Sequence, residues 1–278
     1  MAQKTKRTPN DYKSDKSTWC PGCGDFAVLA SVYQVLAEQD LDPAKTVIVS
    51  GIGCSSRVPF FINTYGFQSV HGRALPVAMG IKVANPELTV IAIGGDGDGF
   101  SIGGGHLAHV VRRNVDITYI VMDNAVYGLT KGQTSPTSPT GFESKSTPYG
   151  SVSVPINPMM LVLAAGATFA ARSFSGRAKQ VTQLILQGMQ HRGFAFIDVL
   201  SPCITFYNTF SLYREQVTDL PPDHDPGDKM QAIAQALRTD ALPLGLFYRE
   251  TRPVFDQTVR VTSRDDRFDA TAILEEYR

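Results

Sequence analysis

The chain has 278 residues, with 26 Lys plus Arg against 26 Asp plus Glu and a formal net charge of +0. Hydrophobic residues make up 43% and charged residues 19%, which excludes intrinsic disorder and leaves no global attraction for nucleic acid or an anionic membrane. No apolar run reaches the roughly 18 residues of a membrane helix, and the polar start MAQKTKRTPNDYKSDKSTW lacks a secretory h-region, so a cytoplasmic protein with no membrane and no nucleic-acid partner is expected.

Residues 1–18 read as a mobile polar arm. CPGCG at 20–24 is a tight turn, and 26–39 carries a broad apolar face at helical spacing. TVIVSGIGC at 46–54 is a short β-branched run ending in glycine, the mark of a buried strand. Residues 74–84 predict a helix, 88–95 a second buried strand running into GDGDG, 102–112 a helix and 117–124 a third strand. The stretch 128–158 is rich in Thr, Ser, Pro and Gly and reads as a long loop. Helices are expected over 159–171 and 181–192, a fourth strand over 194–203, and one further helix over 230–238 in an otherwise extended tail. Strands alternating with helices predict a doubly wound, mostly parallel α/β sheet, whose ligands bind beyond the carboxyl ends of the strands. Those exits are GIGCSSR, GGDGDGF, MDNAVYGLTKGQ and SPC.

The 4 cysteines are too few for a disulfide scaffold. Cys20 and Cys23 form a CxxC pair in the glycine turn, and Cys54 and Cys203 each follow a strand. Four thiolates suit a tetrahedral zinc or an iron–sulfur cluster, and spacing alone does not separate the two.

Asp96 stands between Gly95 and Gly97 at a strand exit, and Asn124 ends the next strand. A carboxylate, a side-chain amide and a backbone carbonyl meet the oxygen-ligand needs of Mg²⁺ on a diphosphate, and flanking glycines let the backbone approach phosphates. A lone GDG is most often a plain turn; here Asn124 and the AVYGLTKGQ that follows argue for the ligand. A nicotinamide fingerprint would require glycine where Phe100 or Ile102 stands. Two cations, Arg57 and Lys131, also lie at strand exits. Their ordinary fate is solvation, but a substrate with a distal carboxylate needs such a partner. Of 5 histidines, His106 and His109 share a helix face with no carboxylate at ligand spacing and read as structural; His71 alone sits in a motif.

WCPGCGDF, GIGCSSR, HGRALPVAMGIK, GGDGDGFSIGGGH, MDNAVYGLTKGQTSPT and PLGLFY together resemble the β subunit of the 2-oxoacid:ferredoxin oxidoreductases, the 2-oxoglutarate type most of all. The resemblance spans about residues 17 to 255. It implies a thiamine diphosphate- and cluster-binding domain over 19–203, with a C-terminal extension over 204–278 packing on that domain or on a partner. It implies Mg²⁺ on Asp96, Asn124 and the Val126 carbonyl. Gly97, Asp98, Gly128 and Leu129 would line the diphosphate. Ile52, Gly53, Cys54, Ser55 and His71 would contact thiamine diphosphate, and Cys20, Cys23, Cys54 and Cys203 would ligate one [4Fe–4S] cluster. The implied reaction takes a 2-oxo acid and coenzyme A to acyl-coenzyme A and CO₂ and reduces ferredoxin, or runs in reverse. Thiamine enzymes need a carboxylate at the aminopyrimidine. No Glu stands in any strand-exit motif, so a partner α subunit is expected to supply it. Arg57 and Lys131 are expected to favour 2-oxoglutarate over pyruvate. The alternatives are a pyruvate or broad-specificity member of the family, a non-redox thiamine decarboxylase or carboligase, and a zinc-stabilised binding module.

Overall fold

A computed structural model describes residues 6–255. Among the described residues eight strands form one sheet: β1 (Thr46–Ser50), β2 (Tyr65–Gln68), β3 (Thr89–Gly95), β4 (Thr118–Asp123), β5 (Phe169–Phe174), β6 (Ala195–Leu200), β7 (Val217–Asp219) and β8 (Leu242–Arg249), in the order β2-β1-β3-β4-β6-β5-β8-β7. Every pairing is parallel except that of β5 with β8. The expected doubly wound architecture is present.

The strand sequences explain the layering. β-Branched runs are buried on both faces, so alternate residues feed two cores. Ile48, Ile91, Ile93, Ile120 and Ile197 face α1 (Asp25–Glu38) and α6 (Ala178–Gln190). Their neighbours Val47, Val49, Val90, Ala92, Tyr119 and Val121 face α3 (Ala74–Ala84), α4 (Gly104–Arg113), α5 (Pro158–Ala164) and α8 (Lys229–Ala236). Two short helices complete the set: α2 (Val58–Phe61), which follows the β1 exit, and α7 (Phe210–Gln216), which precedes β7. Among the described residues no helix is long and apolar enough to cross a membrane.

Three features differ from the sequence reading. The described part of the N-terminal arm is fastened to the domain from Arg7 onward. Arg7 pairs with Asp40 at 3.1 Å, and fully buried Tyr12 donates its hydroxyl to the Leu41 carbonyl at 2.6 Å. The helix expected over 159–171 stops at Ala164, and its last residues belong to β5. The extension from 204 is not separate from the sheet, because β8 pairs with β5 and carries β7 on its outer edge; residues 256–278 of it lie outside the described part.

The carboxyl ends of β1, β3, β4 and β6 lie side by side in the sheet. The four chemistry-bearing exits therefore meet at one edge, as the topology of an open parallel sheet requires.

Candidate active site

A cleft of about 440 Å³ opens at that edge. Ile52, Gly53, Cys54 and Ser55 line it from the β1 exit and His71 from the turn before α3. Gly95, Asp96, Gly97 and Asp98 come from the β3 exit, and Asn124, Val126, Gly128 and Leu129 from the β4 exit. Asn124 shapes its own turn, because its Oδ1 accepts the Val126 amide at 3.1 Å. Ala125 between them takes a left-handed φ of 54°, an uncommon conformation for a non-glycine residue that the turn imposes.

The electrostatics are unusual. Asp96 and Asp123 are both buried, and the Thr137 hydroxyl lies 2.8 Å from Asp96 Oδ2 and 2.8 Å from Asp123 Oδ1. Burial pushes both carboxyls up, and the Asp96 charge adds to the rise at Asp123. The Ala125 amide also donates to Asp123 Oδ1 at 3.0 Å, and Ser135 and the Asn124 backbone also support Asp96, yet burial still outweighs these donors at both carboxyls. Asp98, also buried, is pushed up by burial against the opposing pull of two backbone amides, those of Gly72 and Ile52.

A second cavity, of about 740 Å³, contains all four cysteines. Local contacts assemble it. The Gly24 amide donates to the Pro202 carbonyl at 3.2 Å, which brings the CxxC turn to the β6 exit and Cys203. The Trp19 indole N–H donates to the Cys54 carbonyl at 2.7 Å, which brings the same turn to the β1 exit. None of the four is in a disulfide. The Cys54 thiol is pushed up to about 11, by burial first and then by Asp25 and Cys203, with Arg57 pulling the other way. The Cys23 thiol is pushed up further, again chiefly by burial. Such thiols are poor ligands unless a cation replaces the proton.

The two cavities share Cys54, Asn124, Gly128 and Leu129. Gly128 is the partition: a Cβ there would sit 3.6 Å from Cys203 Sγ and 3.7 Å from Cys54 Sγ. Arg57 and Lys131 line the cysteine cavity and not the acid cleft proper, Arg57 partly buried and Lys131 exposed. Neither takes part in an ion pair among the described residues. His106 and His109 lie on α4, outside both cavities. Sequence reasoning missed Thr137, Asp123 and Tyr127. Thr137 lies in the polar loop, and nothing in its neighbours' composition marks it.

Residues 51–199 match the model of the thiamine pyrophosphate enzyme C-terminal TPP-binding domain, and residues 203–264 match the C-terminal part of the pyruvate ferredoxin oxidoreductase β subunit. The chain is 43% identical over 263 residues to subunit beta of 2-oxoacid:ferredoxin oxidoreductase 2 of Aeropyrum pernix, covering 89% of this chain and 85% of that one. The chain belongs to the β subunits of the 2-oxoacid:ferredoxin oxidoreductases. This β subunit is also 46% identical over 208 residues to the 2-oxoglutarate oxidoreductase subunit KorB of Mycobacterium tuberculosis, covering 74% of this chain and 56% of that protein. It superposes with a TM-score of 0.92 and 43% identity on a 2-oxoglutarate:ferredoxin oxidoreductase from Magnetococcus marinus, solved with 2-oxoglutarate, coenzyme A and succinyl-CoA bound. That match covers 100% of this chain and 98% of the other. A β subunit implies an α partner, and the family places this one among thiamine diphosphate-dependent enzymes.

Proposed function

We propose that this β subunit carries the thiamine diphosphate, Mg²⁺ and one [4Fe–4S] cluster of a 2-oxoglutarate:ferredoxin oxidoreductase, which forms succinyl-coenzyme A and CO₂. The observation that carries this reading is the pair of adjoining cavities. One holds a buried carboxylate at a glycine-flanked strand exit, the other holds four thiols, and Gly128 stands between them.

The residues fit the groups. Asp96, Asn124 and the Val126 carbonyl form the oxygen set that an octahedral Mg²⁺ takes together with phosphates and water. A divalent cation at Asp96 would also offset the buried charge of the Asp96 and Asp123 pair. Among the described residues no three His, Cys, Asp or Glu side chains converge closely enough for a single metal ion. Yet Cys20, Cys23, Cys54 and Cys203 surround one cavity, an arrangement that suits a multi-iron cluster better than one zinc. When bound, thiamine diphosphate would supply an electron sink for loss of CO₂ and the cluster a one-electron acceptor beside it.

The chain's own residues bind and orient. Gly97, Gly128 and Leu129 give the diphosphate close backbone approach. Ile52, Gly53, Ser55 and His71 shape the wall beside the reactive ring. Arg57 and Lys131, cations without an ion-pair partner among the described residues, line the cysteine cavity and take the distal carboxylate of 2-oxoglutarate. Among the described residues no glutamate lines the cleft, so the carboxylate for the aminopyrimidine comes from the α subunit and the cofactor lies at the interface between them. Ferredoxin and coenzyme A are the remaining partners, and four unpaired thiols suit a reducing cytoplasm.

The test is anaerobic purification of the αβ complex, iron analysis, the visible spectrum, and ferredoxin reduction with 2-oxoglutarate and with pyruvate. A broad visible band, four irons per β subunit and a preference for 2-oxoglutarate are expected. One zinc and no visible band would overturn the cluster; a preference for pyruvate would overturn the substrate.

A further inference from the structure

A third cavity, of about 810 Å³, shares no lining residue with the acid cleft or the cysteine cavity. Asp123 and Thr137 line it, with Asp96 and the acid cleft beyond the Thr137 bridge. Its charged wall comes from three adjacent strands. Arg172 on β5 is the register partner of Asp198 on β6, and Asp123 ends β4, which pairs with β6 on the other side. Side-chain alternation puts the three on one face of the sheet. Arg172 is 5% and Asp198 1% exposed, yet a single hydrogen bond joins them, from Arg172 Nε to Asp198 Oδ2 at 3.0 Å. Asp198 Oδ1 has no partner among the described residues. The terminal guanidinium nitrogens of Arg172 donate to no described residue, and the Phe247 ring centroid lies 5.6 Å from the guanidinium carbon. Such pairs frequently close with two parallel bonds. Here half of each buried group is left over, which is costly until a partner arrives.

We propose that this cavity binds an aliphatic α-amino acid, its carboxylate on the terminal nitrogens of Arg172 and its ammonium on Asp198 Oδ1, beside Asp123. The spare groups call for a ligand that accepts on one side and donates on the other. The charged side chains of the lining, Arg172 and Arg238 against Asp123 and Asp198, cancel. A zwitterion therefore fits, and a ligand of one sign leaves half of the pair unmatched. Arg238 is already engaged by Asp240, at 3.0 and 2.6 Å, which leaves the carboxylate to Arg172. Ile156, Leu200 and Leu242 line the cavity as well and suit an aliphatic side chain. Burial pushes the Asp198 carboxyl up and Arg172 opposes the rise; a bound ammonium opposes it further. The site lies apart from the acid cleft, so the inference goes beyond the cofactor reading and does not rest on it.

The test is calorimetric titration of the αβ complex with L-valine and L-leucine, and with isopentylamine and isocaproate, which keep the leucine skeleton but lack its carboxylate or its ammonium. At least one of the two amino acids should bind, and each leucine analogue should bind about tenfold or more weakly than leucine, the cost of one charge-assisted contact left unmade. Asp198→Asn keeps an oxygen for Arg172 Nε and turns an N–H toward the cavity, so it should weaken amino-acid binding by about tenfold or more. Breaking a buried pair is often strongly destabilising, so a crystal structure of the unmodified complex grown with leucine supplies a second reading. It should show the ammonium against Asp198 and the carboxylate against Arg172. No binding of either amino acid, an analogue that binds as tightly as leucine, unchanged affinity in a folded Asp198→Asn complex, or a cavity that holds water alone in the leucine-grown crystal would each overturn the proposal.

Discussion

Replacing Arg57 by Ala removes a cation that lines the cysteine cavity next to the shared wall, partly buried and without an ion-pair partner among the described residues. If it meets the distal carboxylate of 2-oxoglutarate, the lost interaction is a charge-assisted pair worth roughly 1.5–3 kcal/mol. That converts to a loss of about tenfold to a hundredfold in kcat/KM. Lys131 is exposed, so solvent screens it, and Lys131→Ala should fall at or below the low end of that range. Pyruvate has no distal carboxylate, so for it both variants should stay within about threefold of the unmodified enzyme. The assay is ferredoxin reduction by the anaerobic αβ complex with each 2-oxo acid, with iron content measured in parallel so that a damaged cluster is not mistaken for a substrate effect. Equal losses on both substrates with full iron would refute the carboxylate role and place both cations in the service of the cluster or the fold.

Cys203→Ala should lose iron and visible absorption, since thiolates are the ligands such clusters require; full iron occupancy would mean that another group completes the set. Asp96→Ala should abolish thiamine diphosphate binding in a calorimetric titration while leaving iron content unchanged, and an unaltered affinity would remove Asp96 from the site. The β subunit without α should not oxidise 2-oxoglutarate even with every cofactor added, so robust turnover by the isolated chain would sink the shared-site reading. Burial lowers the pKa of His191 from its ordinary 6.5, with the Arg249 charge adding to the fall and Asp116 opposing it. The folded state thus favours the neutral ring, whose Nε2 lies 2.8 Å from the Thr168 hydroxyl. Stability is then lost as pH falls below about 6.5 toward the lower value of the folded state. In melting curves recorded from pH 8 to pH 5, His191→Gln should fall less steeply than the unmodified chain; parallel slopes would contradict this assignment.

The parallel core was legible because its strands are continuous apolar runs ending in glycine, a pattern with few other uses. Helix α3 (Ala74–Ala84) falls at the expected bounds for the same kind of reason. Strand β5 was not legible. Its Phe169-Ala170-Ala171 opening continues an alanine-rich helix in composition, and only Gly166, at a left-handed φ of 89°, marks the break. Strand β8 contains Pro243 and Gly245, which read as breakers, and tolerates them near the edge of the sheet, where it is paired with β5 and the three-residue β7. Tyr12 looked like part of a polar arm because one buried aromatic among charges leaves no periodicity. In the site, the cysteines and the Gly-Asp-Gly segment could be found because their chemistry is tied to short local patterns. The Thr137 bridge between Asp96 and Asp123 could not be found, since it joins residues from three segments through the fold alone.

Gly128 has a bearing on how electrons travel. Tunnelling through protein weakens steeply with each added layer of atoms, and at Gly128 the partition between the two cavities has no side chain at all. Redox proteins that must bridge a gap often recruit an aromatic stepping stone; at Gly128 there is no side chain to serve as one. On the proposed assignment that thinness gives little insulation, and an electron released in the cleft would pass next to a cluster held by the four cysteines. A bulky residue at 128 would therefore act as a resistor placed in series. It would slow the hand-off while leaving the Asp96 turn and the four thiols in place, and charge would accumulate on the cofactor's side of the barrier.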